Sequence, residues 1–223
     1  SVEGAAMAVK GITNSEGGGA SYGRTGIALA TSEGFRGSYA ATSHSIGVAV
    51  LAGEGTGMER DYAQSNARHA SDMETPDVVG KRAGERTIKR LNPRQAKSQR
   101  APVIYDPRVS ASLVGSFAGA ISGASIARGV SFLKDKMGQA VFGPSINIID
   151  DPHRVRGLRS KPFDGEGVAN RKMALIENGV LTAWLLDTAS ARQLGLTTNG
   201  HAARGTGGPP SPSTTNLYMA PGQ

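Results

Sequence analysis

"SLVGSFAGAISGASIARG", Ser112 to Gly129, is the stretch whose reading decides the fold. It lies within nineteen residues, Val109 to Ala127, that hold no charge, His, Asn or Gln. A charge-free run of that length raises the question of a membrane span. Composition speaks against one. Five Ser, three Gly and five Ala leave Val109, Leu113, Val114, Phe117, Ile121 and Ile126 as the larger apolar side chains, a weak insertion signal. Wound as a helix, Val109, Leu113, Phe117 and Ile121 form one stripe. Ala111, Gly115, Gly119, Gly123 and Ala127 form a second, displaced about 200° around the axis. One side offers bulk to a core and the other admits a close backbone. The spacing therefore predicts a small-residue helix buried on both sides, whose interior glycines each cost about 1 kcal/mol relative to Ala.

Beyond this helix the chain reads as a mixture without regular alternation. "SINIIDDP" is a strand, and "KMALIENGVLTAWLLD" is a hairpin, because Asn178-Gly179 suits two consecutive positive-φ turn positions. "TASARQLG" is a short helix ending at Gly195, Thr197 to Thr215 is a long loop, and "NLYM" is the last strand. "PVIYD" reads as a short strand, and "SFLKDKMGQAVFG" as a helix end leading into another. Before the helix, residues 17–57 are β-rich, with turns at Ser32-Glu33-Gly34 and Gly53-Glu54-Gly55. A helix is expected over Asp61 to Ala70. A second starts at Pro76 and stops at Asn92-Pro93, with Val79, Ala83, Ile88 and Leu91 on its apolar side. The fold class is α+β, with antiparallel and mixed sheets around the small-residue helix. A domain boundary is placed at Lys97 to Pro102.

A chain of 223 residues can bury one large core or two small ones. It has no cysteine, which excludes disulfides, thiolate metal sites and a Cys nucleophile from this stretch. Its first residues, without an initiator Met, and its last, "NLYMAPGQ", suggest an internal piece of a longer chain. Net charge is +7 and uneven: Lys81 to Arg108 carries nine basic residues against Glu85 and Asp106. Such a strip can bind phosphates, but without aromatic partners it reads more readily as a solvated helix face and linker.

Catalytic patterns are missing. The four histidines, His44, His69, His153 and His201, form no His-x-x-x-His and no helical His-Glu pair. Asp150, Asp151 and His153 could meet a metal, although an Asp-Asp-Pro turn more often ends a strand. The letters Gly-x-Ser-x-Gly occur once, at Gly19 to Gly23, inside the β-rich stretch and not at the strand-to-helix turn that a nucleophile elbow requires.

Three stretches, "PVIYDPRVSASLVGSFAGAISGASIARGVSFLKDKMGQAVF", "IIDDPHRVRGLRSKPFDGEGVANRKMALIENGVLTAWLLDTASARQLGLTTNGHA" and "TTNLYM", together resemble the TldD/PmbA family of DNA gyrase modulators and peptidases. The likeness is closest to its PmbA (TldE)-like branch and covers most of Pro102 to Met219. It implies that residues 1–98 are a β-rich and helical middle region, and that 99–223 are a truncated C-terminal-type domain. It also implies two related chains working together. The TldD-type chain carries His-Glu-x-x-x-His on the helix equivalent to the opening stretch, binds zinc, and cleaves unfolded peptides. The PmbA-type chain lacks that motif.

Laid under the motif, Ser116 to Ile121 stands in its place, and Ser116, Ala120 and Ile121 cannot hold zinc. The resemblance therefore implies no catalytic residue and no metal in this chain, with zinc in a TldD-type partner. The expected role is a non-catalytic subunit acting on unfolded peptides, in the cytoplasm, without membrane or nucleic-acid contacts, and homodimeric when isolated. Asn216, Leu217, Tyr218 and Met219 are expected to line the peptide cleft by strand addition. An interior strand without ligand is an equally good reading of them. The alternative function is regulation of DNA gyrase through the Lys81 to Arg108 strip.

Overall fold

A computed structural model describes residues 1–222 and divides the chain into two compact units. The first comprises Ser1–Gly26 and Ala40–Pro102, the second Ile27–Tyr39 and Val103–Gln223. The class is α+β.

The first unit contains α1 (Val2–Met7), most of β1 (Ile12–Ala30) and β2 (Arg36–Ala52), then β3 (Glu59–Ala67) and α2 (Pro76–Arg90). The strands form one sheet in the order β1-β2-β3, with β3 antiparallel to β2 in a register that sets Ala63 opposite Val48 and Asp61 opposite Val50. This confirms the β-rich reading of 17–57 and corrects the helix expected over Asp61 to Ala70. There, Asp61, Ala63, Ser65 and Ala67 are buried in strict alternation with exposed neighbours. The buried row is small or polar, so the period-2 signal of a strand is hidden from hydropathy.

Helix α2 starts as expected, with Pro76 in the first turn, and ends before Asn92, whose φ is 56°. Its buried face is Val79, Gly80, Ala83, Gly84 and Thr87 rather than the larger Ile88 and Leu91. Gly80 is the point of closest approach to α1. A Cβ there would collide with Val2 O and lie 2.7 Å from Ala5 Cβ. The core of this unit is Ala6, Val48, Val50, Ala63, Val79 and Ala83.

The second unit contains α3 (Pro107–Ala120), α4 (Gly123–Ala127), β4 (Ile148–Asp150), β5 (Met173–Glu177), β6 (Val180–Leu181), α5 (Thr188–Gln193), β7 (Ala202–Ala203), β8 (Ser211–Pro212) and β9 (Leu217–Met219). Four strands form a sheet in the order β6-β5-β4-β9, and β7 pairs with β8. The hairpin falls where the Asn-Gly pair predicts it, with Asn178 at φ 49° and Gly179 at φ 82°.

The opening stretch is two helices rather than one. Around Ser122 the chain pairs with Leu185, Leu185 N donating to Ile121 O and Gly123 N to Leu185 O at 2.7 Å, so the helical ladder is interrupted. Gly123 is the glycine that needs no Cβ, which would lie 2.5 Å from Ser190 Oγ. Burial on both sides is therefore confined to the C-terminal end, at Ile121, Gly123 and Ile126. Within α3 only Phe117 is buried, and Gly115 and Gly119 face open space. "PVIYD" is irregular, with Ile104 exposed, and "SFLKDKMGQAVFG" is a series of turns touching β6 through an Ala140–Val180 bridge. The core joins Phe117 and Ile121 to Leu133, Ile148, Leu175, Ile176, Leu181 and Leu185.

Candidate functional site

The last strand is the place to start, because it is an edge. Among the described residues β9 pairs with β4 on one side only, Tyr218 opposite Ile149 and Leu217 opposite Asp150. Asp151 N donates to Asn216 O, and Ala220 N to Asn147 O. In an antiparallel ladder, hydrogen-bonded residues alternate, so the backbones of Asn216, Tyr218 and Ala220 face β4. Those of Leu217 and Met219 face away, presenting donors and acceptors along the free edge.

Beside that edge lies an open cleft of about 950 Å³. Its other walls are the exposed face of α3, with Ser110, Leu113 and Val114, and the loop Arg154 to Arg159. The loop is held by its own backbone and by β9. Gly157 N donates to Arg154 O, Ser160 N to Gly157 O, and Ser160 Oγ to Arg154 O at 2.6 Å. Arg156 sits at φ 57°, a conformation that costs a non-glycine residue of order 1 kcal/mol. Gly157 packs so tightly that a Cβ would lie 2.6 Å from Ser160 Oγ.

All four residues expected to meet peptide line this cleft, in different ways. The Asn216 side chain is committed to the loop, Nδ2 donating to Asp151 O and Ser160 Oγ while Oδ1 accepts from Arg159 N. Leu217 packs against the core. Tyr218 lies under the Arg154 guanidinium, 5.3 Å from the ring centroid. Met219 is exposed. Of the three positions laid under the lost metal motif, Ser116 is exposed, Ala120 is half-buried against the core and Ile121 is fully buried.

Among the described residues no group of three His, Asp or Glu is placed to hold a metal ion. Asp150, Asp151 and His153 diverge. His153 Nε2 meets Asn170, Asp151 Oδ1 accepts from His153 N, and Asp150 points into the interior. There Asp150 accepts from Thr215 N and Oγ1 and lies 3.3 Å from His201 Nε2, while His201 Nδ1 meets Asn199 Oδ1. This buried cluster had no local sequence signal, since Asp150 lies some fifty or more residues before Asn199, His201 and Thr215. Burial pushes the neighbouring Lys161 ammonium below its ordinary pKa, against the pull of Asp164, and its Nζ donates to Ala202 O.

The basic strip is partly neutralised within the chain. Arg82 pairs with Glu74 through both terminal nitrogens, Arg90 with Glu59, Lys81 with Glu85 and Arg108 with Asp106. No helix among the described residues is long and apolar enough to cross a membrane.

Residues 98–223 match the PmbA/TldA metallopeptidase C-terminal domain and residues 1–91 the PmbA/TldA metallopeptidase central domain. The chain is 41% identical to metalloprotease PmbA of Escherichia coli O157:H7 over 89% of its own length and 44% of the relative's. It is 34% identical to a PmbA homologue of Haemophilus influenzae over 80% of its length and 40% of that protein. The chain thus spans less than half the length of these relatives. The crystal structure of a Thermotoga maritima protein, proposed as a modulator of a DNA gyrase, superimposes with a TM-score of 0.89 at 24% identity, over 100% of this chain and 50% of that one. TldE of Thermococcus kodakarensis gives 0.77 at 19% identity, over 92% of this chain and 47% of that one.

Proposed function

Because the chain belongs to the PmbA/TldD metallopeptidase family, we propose that it is the non-catalytic, peptide-holding part of a TldD/TldE-type heteromeric zinc metallopeptidase acting on unfolded peptides in the cytoplasm. The observation that carries this reading is the edge of β9, paired by no second strand among the described residues, which opens onto a cleft of about 950 Å³. Added strands bind through main-chain hydrogen bonds and therefore tolerate many sequences, which suits unfolded substrates. Ser116, Ala120 and Ile121 carry no imidazole or carboxylate, so the residues at the motif position do not fit zinc, and the metal is assigned to the TldD-type partner. The division of labour is then simple. This chain holds and aligns peptide, and the partner cleaves it.

The experiment is a cleavage assay on the full-length protein alone, with a TldD-type partner, and with that partner's His-Glu motif mutated. Cleavage is expected only with the intact partner. Metal-dependent cleavage by this protein alone would overturn the reading.

A further inference from the structure

We propose that the cleft beside β9 selects extended peptides carrying a carboxylate opposite Tyr218, flanked by apolar residues that face α3; this rests on the peptide-holding reading above. The cleft lining contains the guanidinium groups of Arg154 and Arg159 and, among the described residues, no Asp or Glu. They sit on one short loop whose backbone is pinned at both ends. Asn216 ties Arg159 N to β9, and Lys161 N donates to Pro152 O across the loop's base. Arg154 is further fixed over the Tyr218 ring, and Arg159 Nη2 donates to Ser213 Oγ at 3.3 Å. Two cations on a braced loop form a preorganised site for an anion, in which little ordering entropy is lost on binding.

Strand geometry says where the anion belongs. A peptide added to β9 bonds to the outward backbones of Leu217 and Met219, so one of its residues stands directly opposite Tyr218. Cross-strand neighbours project to the same face, about 5 Å apart. That residue's side chain therefore emerges beside the Tyr218 ring, under Arg154. Its neighbours before and after project to the other face, shared with Leu217, which packs with Val114 of α3 into the core. The resulting pattern is apolar, acidic, apolar. A free peptide C-terminus in the central position offers the same carboxylate.

The test is fluorescence anisotropy on the full-length protein with short labelled peptides. These are a Val/Leu/Ser-rich probe with a central Glu and an amidated end, the same probe with Gln or Lys in place of Glu, and the Gln probe with a free C-terminus. The Glu probe, the free-terminus probe or both should bind about tenfold more tightly than the amidated Gln probe, and the Lys probe more weakly still. Which anionic probe gains identifies the carboxylate's source. The ratio should collapse towards one in R154Q and fall in R159Q, and shrink with salt in the wild type. Equal binding of all four probes would overturn the carboxylate preference and leave the peptide-holding reading standing. Binding of none would overturn both. Because the wild-type ratio needs no variant, a variant that fails to fold does not blunt the test.

Discussion

Asn216 Oδ1 accepts the backbone N–H of Arg159 at 2.9 Å, joining the last strand to a loop fifty-seven residues earlier. The same amide donates to Asp151 O and Ser160 Oγ, so one side chain closes three bonds across the wall of the cleft. Its polar atoms are spent within the wall, where they tie the strand edge to the arginine loop.

Asn216→Ala should therefore act in two ways. Loss of a part-buried amide with three partners is expected to lower unfolding stability by about 1–3 kcal/mol. It should also weaken peptide affinity, because the loop is no longer held against β9. Urea unfolding and anisotropy on the full-length protein check the two effects separately. If affinity were unchanged while stability fell, the loop would not be part of the binding wall.

The interior counterpart of this tie is Asp150, fully buried, which receives Thr215 N and Oγ1 and faces His201 Nε2. Asp150→Ala strands all three groups away from water and is expected to cost about 3–5 kcal/mol. Thr215→Val removes only the hydroxyl donor and should cost about 1 kcal/mol. Thermal unfolding of the two variants ranks them. A smaller loss for D150A than for T215V would mean that the cluster is not held by its carboxylate.

Glycine substitutions separate the two helices that carry small-residue spacing. In α2, a Cβ on Gly84 would lie 2.6 Å from Val9 Cγ2, and Gly80 has no room at all against α1. Gly80→Ala should destabilise the first unit by about 1–3 kcal/mol. In α3, Gly119 meets nothing within 4 Å, so Gly119→Ala should stabilise by about 0.5–1 kcal/mol through helix propensity. Differential scanning calorimetry on both variants reads the opposite signs.

Those glycines also show what the sequence could and could not reveal. The four-residue spacing in Gly115, Gly119 and Gly123 announces a close-packed helix, but only Gly123 is closely packed, after the helix has broken. The break comes from pairing with Leu185, more than sixty residues away, which no local pattern encodes. The Asn178-Gly179 hairpin was legible because its turn needs only its own two residues. β3 was not, because its inward row of Asp61, Ala63, Ser65 and Ala67 lacks large apolar side chains. The tip of the β1–β2 hairpin belongs with the second unit through Phe35 and Tyr39 against Phe163, a contact of sequence-distant aromatics. For the cleft, the residue types of β9 were readable, but the arginine wall facing them depends on a fold that brings residues 154–159 beside 216–219.

Lys161 supplies the pH prediction. Burial holds its ammonium below the ordinary lysine value of 10.5; Asp164 and Asp150 pull it back up, and Arg159 adds to the lowering. The folded state therefore binds fewer protons than the unfolded chain between the lowered value and 10.5, and stability contributed by this group rises with pH through that window. Below it, the cost of burying the charge is fully present. Lys161→Met removes the titration. The stability of the wild type relative to K161M should thus increase as pH is raised from neutrality towards 10.5, read by urea unfolding at matched ionic strength. A difference that stayed flat across that range would mean that Lys161 binds its proton equally well folded and unfolded, and that its donation to Ala202 O offsets the burial.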